Sequence, residues 1–290
     1  MTYLTKEDWG NYLVPKICDD KSFSEHLKQN IKIQNNLIRL ISKIFITKKN
    51  SEKKLFQRIL VSSMIYYHKY ALLNNISYSD LSPLDKLVLF CSCIFLAFKE
   101  SNKLIQISVL SSKFQPFFSK HKPFGIDEIK ELIIQKEYEI LLSIEFNMAI
   151  DWPYEALNLL KIYLQKIGKG NDTVIKIITY VNLYLNDSIL FPLCLYYTPN
   201  EIIFSCILLA KQKYNFDFIN INELIKLNEL EINNDNMLEC TIYISKIIKY
   251  KDNLLENNNN NQINNNNNYL LNDKDILNIK NIPLIHTNCN

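Results

Sequence analysis

Side chains able to do chemistry are few in this chain, and their spacing argues against most of it. His26, His68, His121 and His286 stand apart from one another. His68 follows Tyr66 and Tyr67 with no acidic neighbour at short spacing, so a packed or surface role suits it better than general-base work. Glu137 and Glu139 share one helical segment, but two residues apart they point to different sides of it. A solvated helix face explains that pair without chemistry. Of the seven cysteines, Cys91 and Cys93 are the closest, inside an apolar run; Cys18, Cys194, Cys206, Cys240 and Cys289 are scattered. That spacing indicates neither a disulfide framework nor a zinc site, and it suits a reducing compartment. There is no Gly-rich phosphate loop, no His-Glu-x-x-His, no Gly-x-Ser-x-Gly and no Cys-x-x-Cys. The reading is a protein that is not an enzyme, with no catalytic residue, no metal and no cofactor.

Charge is equally unspecific. Net charge is +3 with a pI near 8.3, too mild to argue for nucleic acid. Lys48, Lys49, Lys53 and Lys54 cluster, but Glu52 interrupts them, and a solvated turn between helices accounts for the group. No direct nucleic-acid contact is expected. Met1–Gly10 carries Lys6, Glu7 and Asp8 where a signal peptide would be apolar. The longest uncharged apolar run, Leu87–Phe98, is about two-thirds of a bilayer span. A soluble protein without a membrane partner is expected.

The elements that must position whatever function exists are helical. Only four glycines occur among 290 residues, where average usage predicts about 20, so positive-φ hairpin turns are hard to supply. Apolar residues recur three and four apart: Leu37, Ile38, Leu40, Ile41, Ile44 and Phe45 in one stretch, Ile126, Ile129, Leu132, Ile133, Ile140, Leu141 and Ile144 in another. Later segments repeat the period through Leu159, Leu160, Ile162, Tyr163 and Ile167, and through Met237, Leu238, Ile242, Ile244, Ile247 and Ile248. An all-α protein follows.

An internal repeat organises it. Ser82-Pro83-Leu84-Asp85 opens one apolar helix and Thr198-Pro199-Asn200-Glu201 opens another, each with the pattern of a capping box and proline in the first turn. Ser92-Cys93-Ile94-Phe95-Leu96-Ala97 follows the first box, and Ser205-Cys206-Ile207-Leu208-Leu209-Ala210 the second. Helices are expected near 24–46, 51–73, 83–100, 104–114 and 126–146, then near 153–167, 171–187, 199–213, 220–228 and 235–250. The architecture is two tandem five-helix bundles, each packed around its third helix. In that division, 1–23 is an N-terminal extension, 24–150 the first bundle and 151–250 the second. Residues 251–290 carry asparagine blocks at Asn257–Asn261 and Asn264–Asn268, a tract with no apolar face to bury, and are expected to form a disordered low-complexity tail.

Tandem bundles centred on Cys93-Ile94-Phe95-Leu96-Ala97-Phe98-Lys99 resemble the cyclin family. The resemblance extends to Met64-Ile65-Tyr66-Tyr67-His68-Lys69-Tyr70 and to the stretch from Glu137 through Met148. In the second half, Leu185-Asn186-Asp187-Ser188 and Leu193–Pro199 are similar to the transcription-associated branch, cyclins H, C, K, L and T. Tyr197-Thr198-Pro199 and Trp152-Pro153-Tyr154 lean toward H and C. Here Glu100-Ser101-Asn102 follows Lys99, where many cyclins have an acidic pair one residue on. The docking motif that cell-cycle cyclins carry on their first helix is not found in Ile31–Ile46.

The resemblance implies a regulatory subunit that binds and activates a cyclin-dependent kinase, in transcription through the RNA polymerase II tail and also in cell-cycle control. It makes Lys99 and Glu137 the kinase-binding residues. The repeat agrees in one respect, since Gln212 stands in the place of Lys99 in the second half. The implied location is the nucleus, with a cytoplasmic pool left open, as is a third assembly subunit. Two other readings compete: a transcription-factor-IIB-like tandem cyclin fold that binds DNA and polymerase, and a helical scaffold with no kinase partner. The first predicts an N-terminal zinc ribbon, and Met1–Phe23 holds only Cys18.

Overall fold

The computed structural model describes residues 20–45, 50–151, 153–227 and 231–260. The extension through residue 19, Lys48, Lys49, Trp152 and everything from residue 261 onward, including Cys289 and His286, lie outside the described residues. The described chain divides into two compact units between Ile150 and Asp151.

The first unit holds α1 (Asp20–Ser42), α2 (Asn50–Leu73), α3 (Pro83–Glu100), α4 (Ile107–Phe118) and α5 (Ile126–Ser143). The second holds α6 (Leu157–Lys166), α7 (Asn171–Ser188), α8 (Pro199–Tyr214), α9 (Ile221–Leu227) and α10 (Asn234–Asn260). Short 3₁₀ turns at Tyr78–Asp80 and Pro192–Leu195 precede α3 and α8, so the repeat includes the approach to each central helix. Among the described residues there is no strand. No described helix is long and apolar enough to cross a membrane.

The third helix of each unit is its centre. Every residue of α3 from Val88 to Phe98 is buried, Cys91 and Cys93 included, because α2 lies on one side and α5 on another. In α8 the run Glu201–Ile207 is buried in the same way against α10 and α7. Burial all round leaves no polar face, which is why these helices read as continuous apolar runs. A serine interrupts each run at the same place. Ser92 Oγ donates within the buried core to Val88 O at 2.9 Å and Ile133 O at 3.0 Å; Ser205 Oγ reaches Glu201 O at 2.7 Å and Met237 O at 2.8 Å. Each hydroxyl ties the central helix to the last helix of its bundle, and the two ties match Ile133 with Met237.

The two helix starts differ in detail. Thr198 and Glu201 form the full box, with Thr198 N–H donating to Glu201 Oε2 at 2.8 Å and Glu201 N–H to Thr198 Oγ1 at 3.2 Å. Ser82 accepts from Asp85 N–H at 3.1 Å, but the Asp85 carboxylate takes the Ser82 hydroxyl at 2.6 Å instead of the backbone N–H. The Ser82 box is therefore closed on one side only, while the turn just before it, Ser77–Asp80, has the aspartate carboxylate accepting from the Ser77 N–H at 3.1 Å. Glycine scarcity is met by asparagine: Asn75, Asn102 and Asn215 take the left-handed conformation just after α2, α3 and α8. Asparagine tolerates that region better than other non-glycine residues.

Several boundaries depart from the sequence reading: α1 spans Asp20–Ser42 where 24–46 is expected, α4 starts at Ile107 and not at 104, and α6 at Leu157 and not at 153. α4 runs four residues beyond 114 and contains Pro116, which removes one main-chain bond, to the Ser112 carbonyl, while the helix continues to Phe118 and closes with Ser119 N–H on Gln115 O. α10 continues through Asn260, so residue 251 falls inside a helix and not at the start of a tail. The Lys251 ammonium donates to the Asp187 carboxylate at the end of α7, which fixes this extra length to the second bundle.

Candidate partner-binding site

Four helical positions of α5 face the core: Ile129, Ile133, Glu137 and Ile140, spaced by three and four. Glu137 thus occupies a place in the apolar stripe, which explains its burial to 5% exposure. A buried carboxylate needs a charged or hydrogen-bonding partner. Lys99, in the last turn of α3, supplies it, with Nζ 2.5 Å from Glu137 Oε1. The same ammonium lies 4.4 Å from the centre of the Phe95 ring, one turn earlier on α3. Lys99 stays 40% exposed, so its charge is shared between the pair and the surface. The sequence expectation placed both residues at one surface; the structure brings them into contact. Glu139, two residues on, instead pairs with Lys136.

The helix end itself is tightly closed. Ser101 N–H donates to Ala97 O at 3.0 Å, Asn102 N–H to Lys99 O at 3.2 Å and Lys103 N–H to Phe98 O at 3.2 Å. Lysine suits this end, since exposed helix carbonyls carry partial negative charge. Glu100 does not, and it is held by two groups of α2: Arg58 Nη2 at 2.7 Å and Ser62 Oγ at 3.1 Å. Sequence reasoning missed this pairing, because Arg58 is forty-two positions away with no periodic signal linking it to Glu100. Burial pushes the nearby Tyr66 phenol well above its ordinary value, and Glu100 adds to the effect. Tyr66 Oη donates to Met148 O at 2.9 Å and Lys69 Nζ to Ala149 O at 3.2 Å, so α2 also secures the chain leaving α5.

Beside the ion pair runs an apolar surface. Ile134, Tyr138 and Leu142, four apart on α5, are all exposed. Glu145 and Phe146 then turn through left-handed φ angles of 52° and 57°. Neither is glycine, and such positions cost of order 1–3 kcal/mol each. The turn brings the exposed Phe146 ring edge-on to Tyr138, 6.4 Å between centres. The site therefore offers ammonium donors and apolar area side by side. His68 is buried with its ring against Tyr67.

The second bundle answers differently. The serine ties match Ile133 with Met237, so Glu137 corresponds to Thr241, whose Oγ1 donates back to Met237 O at 2.7 Å. Lys99 corresponds to Gln212, which is exposed. The acidic–basic pair therefore belongs to the first bundle alone. Ile134 and Tyr138 correspond to Leu238 and Ile242, at 51% and 67% exposure. Both belong to the apolar series of helical period in the sequence, yet they face outward. The buried side of α10 is Met237, Cys240, Thr241, Ile244 and Ile247.

No protein-family model matches the chain. It is 25% identical over 166 residues to cyclin C of Drosophila melanogaster, and equally to cyclin C of Drosophila pseudoobscura pseudoobscura. The match covers 54% of this chain and 56% of each relative, so the chain spans little more than half the length of the curated relatives it matches. Its fold resembles a chain of the yeast TFIIK (Kin28/Ccl1/Tfb3) complex with a TM-score of 0.56 at 15% identity, over 86% of this chain and 96% of that one. A chain of the yeast RNA polymerase II CTD kinase CTDK-1 complex gives 0.52 at 12% identity, covering 88% and 81%. A chain of the Chaetomium thermophilum CAK complex gives 0.50 at 12%, covering 83% and 70%. At these identities the structural likeness is one of fold, the tandem helical fold of cyclins. The sequence resemblance is to the transcription-associated branch.

Proposed function

We propose that this chain is a cyclin-type regulatory subunit that binds and activates a transcription-associated cyclin-dependent kinase and catalyses nothing itself. The observation that carries the reading is the Lys99–Glu137 pair beside the exposed row Ile134, Tyr138, Leu142 and Phe146, a combination the second bundle lacks. An ammonium has three donors, and Glu137 takes one. The others suit main-chain carbonyls at the end of a kinase helix, while the apolar row covers that helix's side. Holding the mobile C-helix inward lets the kinase's Lys–Glu ion pair form and its activation loop order.

The similar structures come from TFIIK, CAK and RNA polymerase II CTD kinase complexes. By that likeness the kinase's substrate is the polymerase tail, the place of action is the nucleus, and a third assembly subunit joins the pair. The test is capture of the tagged full chain with its partners, identification of those partners by mass spectrometry, and an assay of the captured material on a polymerase-tail peptide. A protein kinase whose activity depends on this chain is expected. A stable catch containing no kinase, or a kinase equally active without the chain, overturns the reading.

A further inference from the structure

The outward side of α10 carries a spacing of its own. Asp235, Leu238, Ile242, Ser245 and Lys249 follow one another in steps of three, four, three and four, and all five are exposed. Alternating threes and fours is the spacing of a seam along which two helices pack. The opposite side of α10 packs on α7 and α8, so this second seam has no use inside its own bundle. Its chemistry is ordered along the helix: acid, apolar, apolar, hydroxyl, base. Lys246, next to Ser245, adds an ammonium at the basic end. Glu239, between the two apolar residues in sequence, turns to the Tyr197 hydroxyl and adds no charge to the seam.

Such an order is complementary to its own reverse. We propose that α10 is a self-association surface, on which a second copy of this chain lays its own α10 antiparallel about a two-fold axis at the level of Cys240. Positions equally far from residue 240 then meet. Leu238 packs on Ile242 of the second copy, each about 3 Å along the helix from the axis. Asp235 meets Ser245 of the second copy about 7.5 Å from it, with Lys246 beside that serine and Lys249 one turn further on. At the separation of packed helices, about 8–10 Å, these side chains are in reach. The two-fold axis makes every contact twice. The first bundle supplies the contrast. By the match of Ile133 with Met237, its corresponding residues are Glu131, Ile134, Tyr138, Leu141 and Glu145. No ammonium stands opposite Glu131 in such a pairing, where Leu141 and Leu142 would face it. Self-complementarity therefore belongs to α10. Two apolar residues and one charged end from each copy cover less than a stable complex buries, about 1,200 Å² or more, so the association is weak, setting in at about 100 µM. It uses no residue of the Lys99–Glu137 site and is independent of any kinase partner.

The test is sedimentation velocity of the full chain from about 5 to 300 µM, with circular dichroism as the folding control for every variant. Monomer at the low end and a rising share of dimer toward the high end are expected. Ile242→Asp should abolish the dimer and leave the spectrum unchanged, since Ile242 is 67% exposed. Asp235→Lys, and separately Lys246→Glu with Lys249→Glu, each set like charges opposite one another at both ends of the seam. Each should weaken association by about five- to thirty-fold, the effect of an exposed pair counted twice by symmetry. Mixed in equal amounts, the two charge variants should regain the dimer, because every charge then meets its opposite. That recovery is specific to the antiparallel arrangement. A chain that stays monomeric throughout, a dimer that persists with Ile242→Asp, or a mixture no more associated than its two parts overturns the proposal.

Discussion

Lys99→Ala should do two separable things, and their separation is the strongest test of the site. The first is a loss of stability. Glu137 is buried at 5% exposure and its recorded hydrogen-bond donor is the Lys99 ammonium. Breaking a fully buried pair by removing one member costs about 3–5 kcal/mol. Lys99 is 40% exposed, so water already screens the interaction and relieves part of the penalty. A cost of about 1–2 kcal/mol is expected, which for a bundle of this size lowers the melting temperature by roughly 4–8 °C. Lys99→Ala combined with Glu137→Gln removes the stranded charge and should recover most of that loss. The second effect is on the partner. An interfacial charge that becomes buried and hydrogen-bonded in the complex is worth about 2–5 kcal/mol, roughly thirty-fold or more in affinity. The double variant should therefore be stable yet bind the kinase at least thirty-fold more weakly. Circular dichroism melts give the first quantity and calorimetric titration with the copurified kinase the second. Wild-type affinity in the stable double variant would refute the role assigned to the pair. Wild-type stability in Lys99→Ala would refute the electrostatic account of Glu137.

Gln212→Ala, at the place corresponding to Lys99, should leave kinase affinity and melting temperature unchanged in the same two assays. Ser92→Ala and Ser205→Ala should each cost about 0.5–1.5 kcal/mol in denaturant unfolding, and by similar amounts, since each removes one cross-helix hydroxyl bond. Burial raises the Asp187 carboxyl above the ordinary 3.8, with Lys251 opposing the shift. The folded state then holds the proton more tightly than the unfolded chain, so the second bundle loses stability as pH rises from the unfolded value through the folded one. Lys251→Met should raise the carboxyl further and enlarge that loss, as measured by denaturant unfolding across the acid range with a carboxyl NMR titration. Burial also pushes up the Cys91, Cys93 and Cys206 thiols, and Cys240 to about 12. These four should resist alkylation in the native protein at neutral pH and react on unfolding, as read by mass spectrometry.

Much of the fold was legible because its punctuation is local. Ser82-Pro83 and Thr198-Pro199 locate the starts of α3 and α8 to the residue, and the matching serine-cysteine steps reveal the duplication. Surface and core were harder to separate in α10, where Leu238 and Ile242 satisfy the helical period yet face outward. A chain so rich in isoleucine and leucine places apolar residues on both faces, and period alone does not choose between them. The counterpart of Glu137 also escaped the sequence. Glu239 sits in a similar stretch, but forty-one residues separate Ser92 from Ile133 and thirty-two separate Ser205 from Met237. A register carried across connections of unequal length slips, and only the serine ties restore it to Thr241. Lys99 and Glu137 came from the resemblance. Their contact joins the last turn of α3 to the interior of α5, thirty-eight positions apart, which no local pattern encodes.

The paired serines also limit how either bundle can move. Helices that meet only through apolar side chains can slip past one another by a turn, about 5.4 Å, and re-form equivalent contacts. A hydroxyl buried in the seam and shared between a carbonyl of its own helix and one of the neighbour loses the second bond as soon as the helices slide. Sliding α3 along α5, or α8 along α10, would break the cross-helix bond and leave each hydroxyl only the carbonyl of its own helix, Val88 O or Glu201 O, at a cost of about 0.5–1.5 kcal/mol. Each seam therefore has one detent. Each bundle thus has one preferred register between its central and last helices.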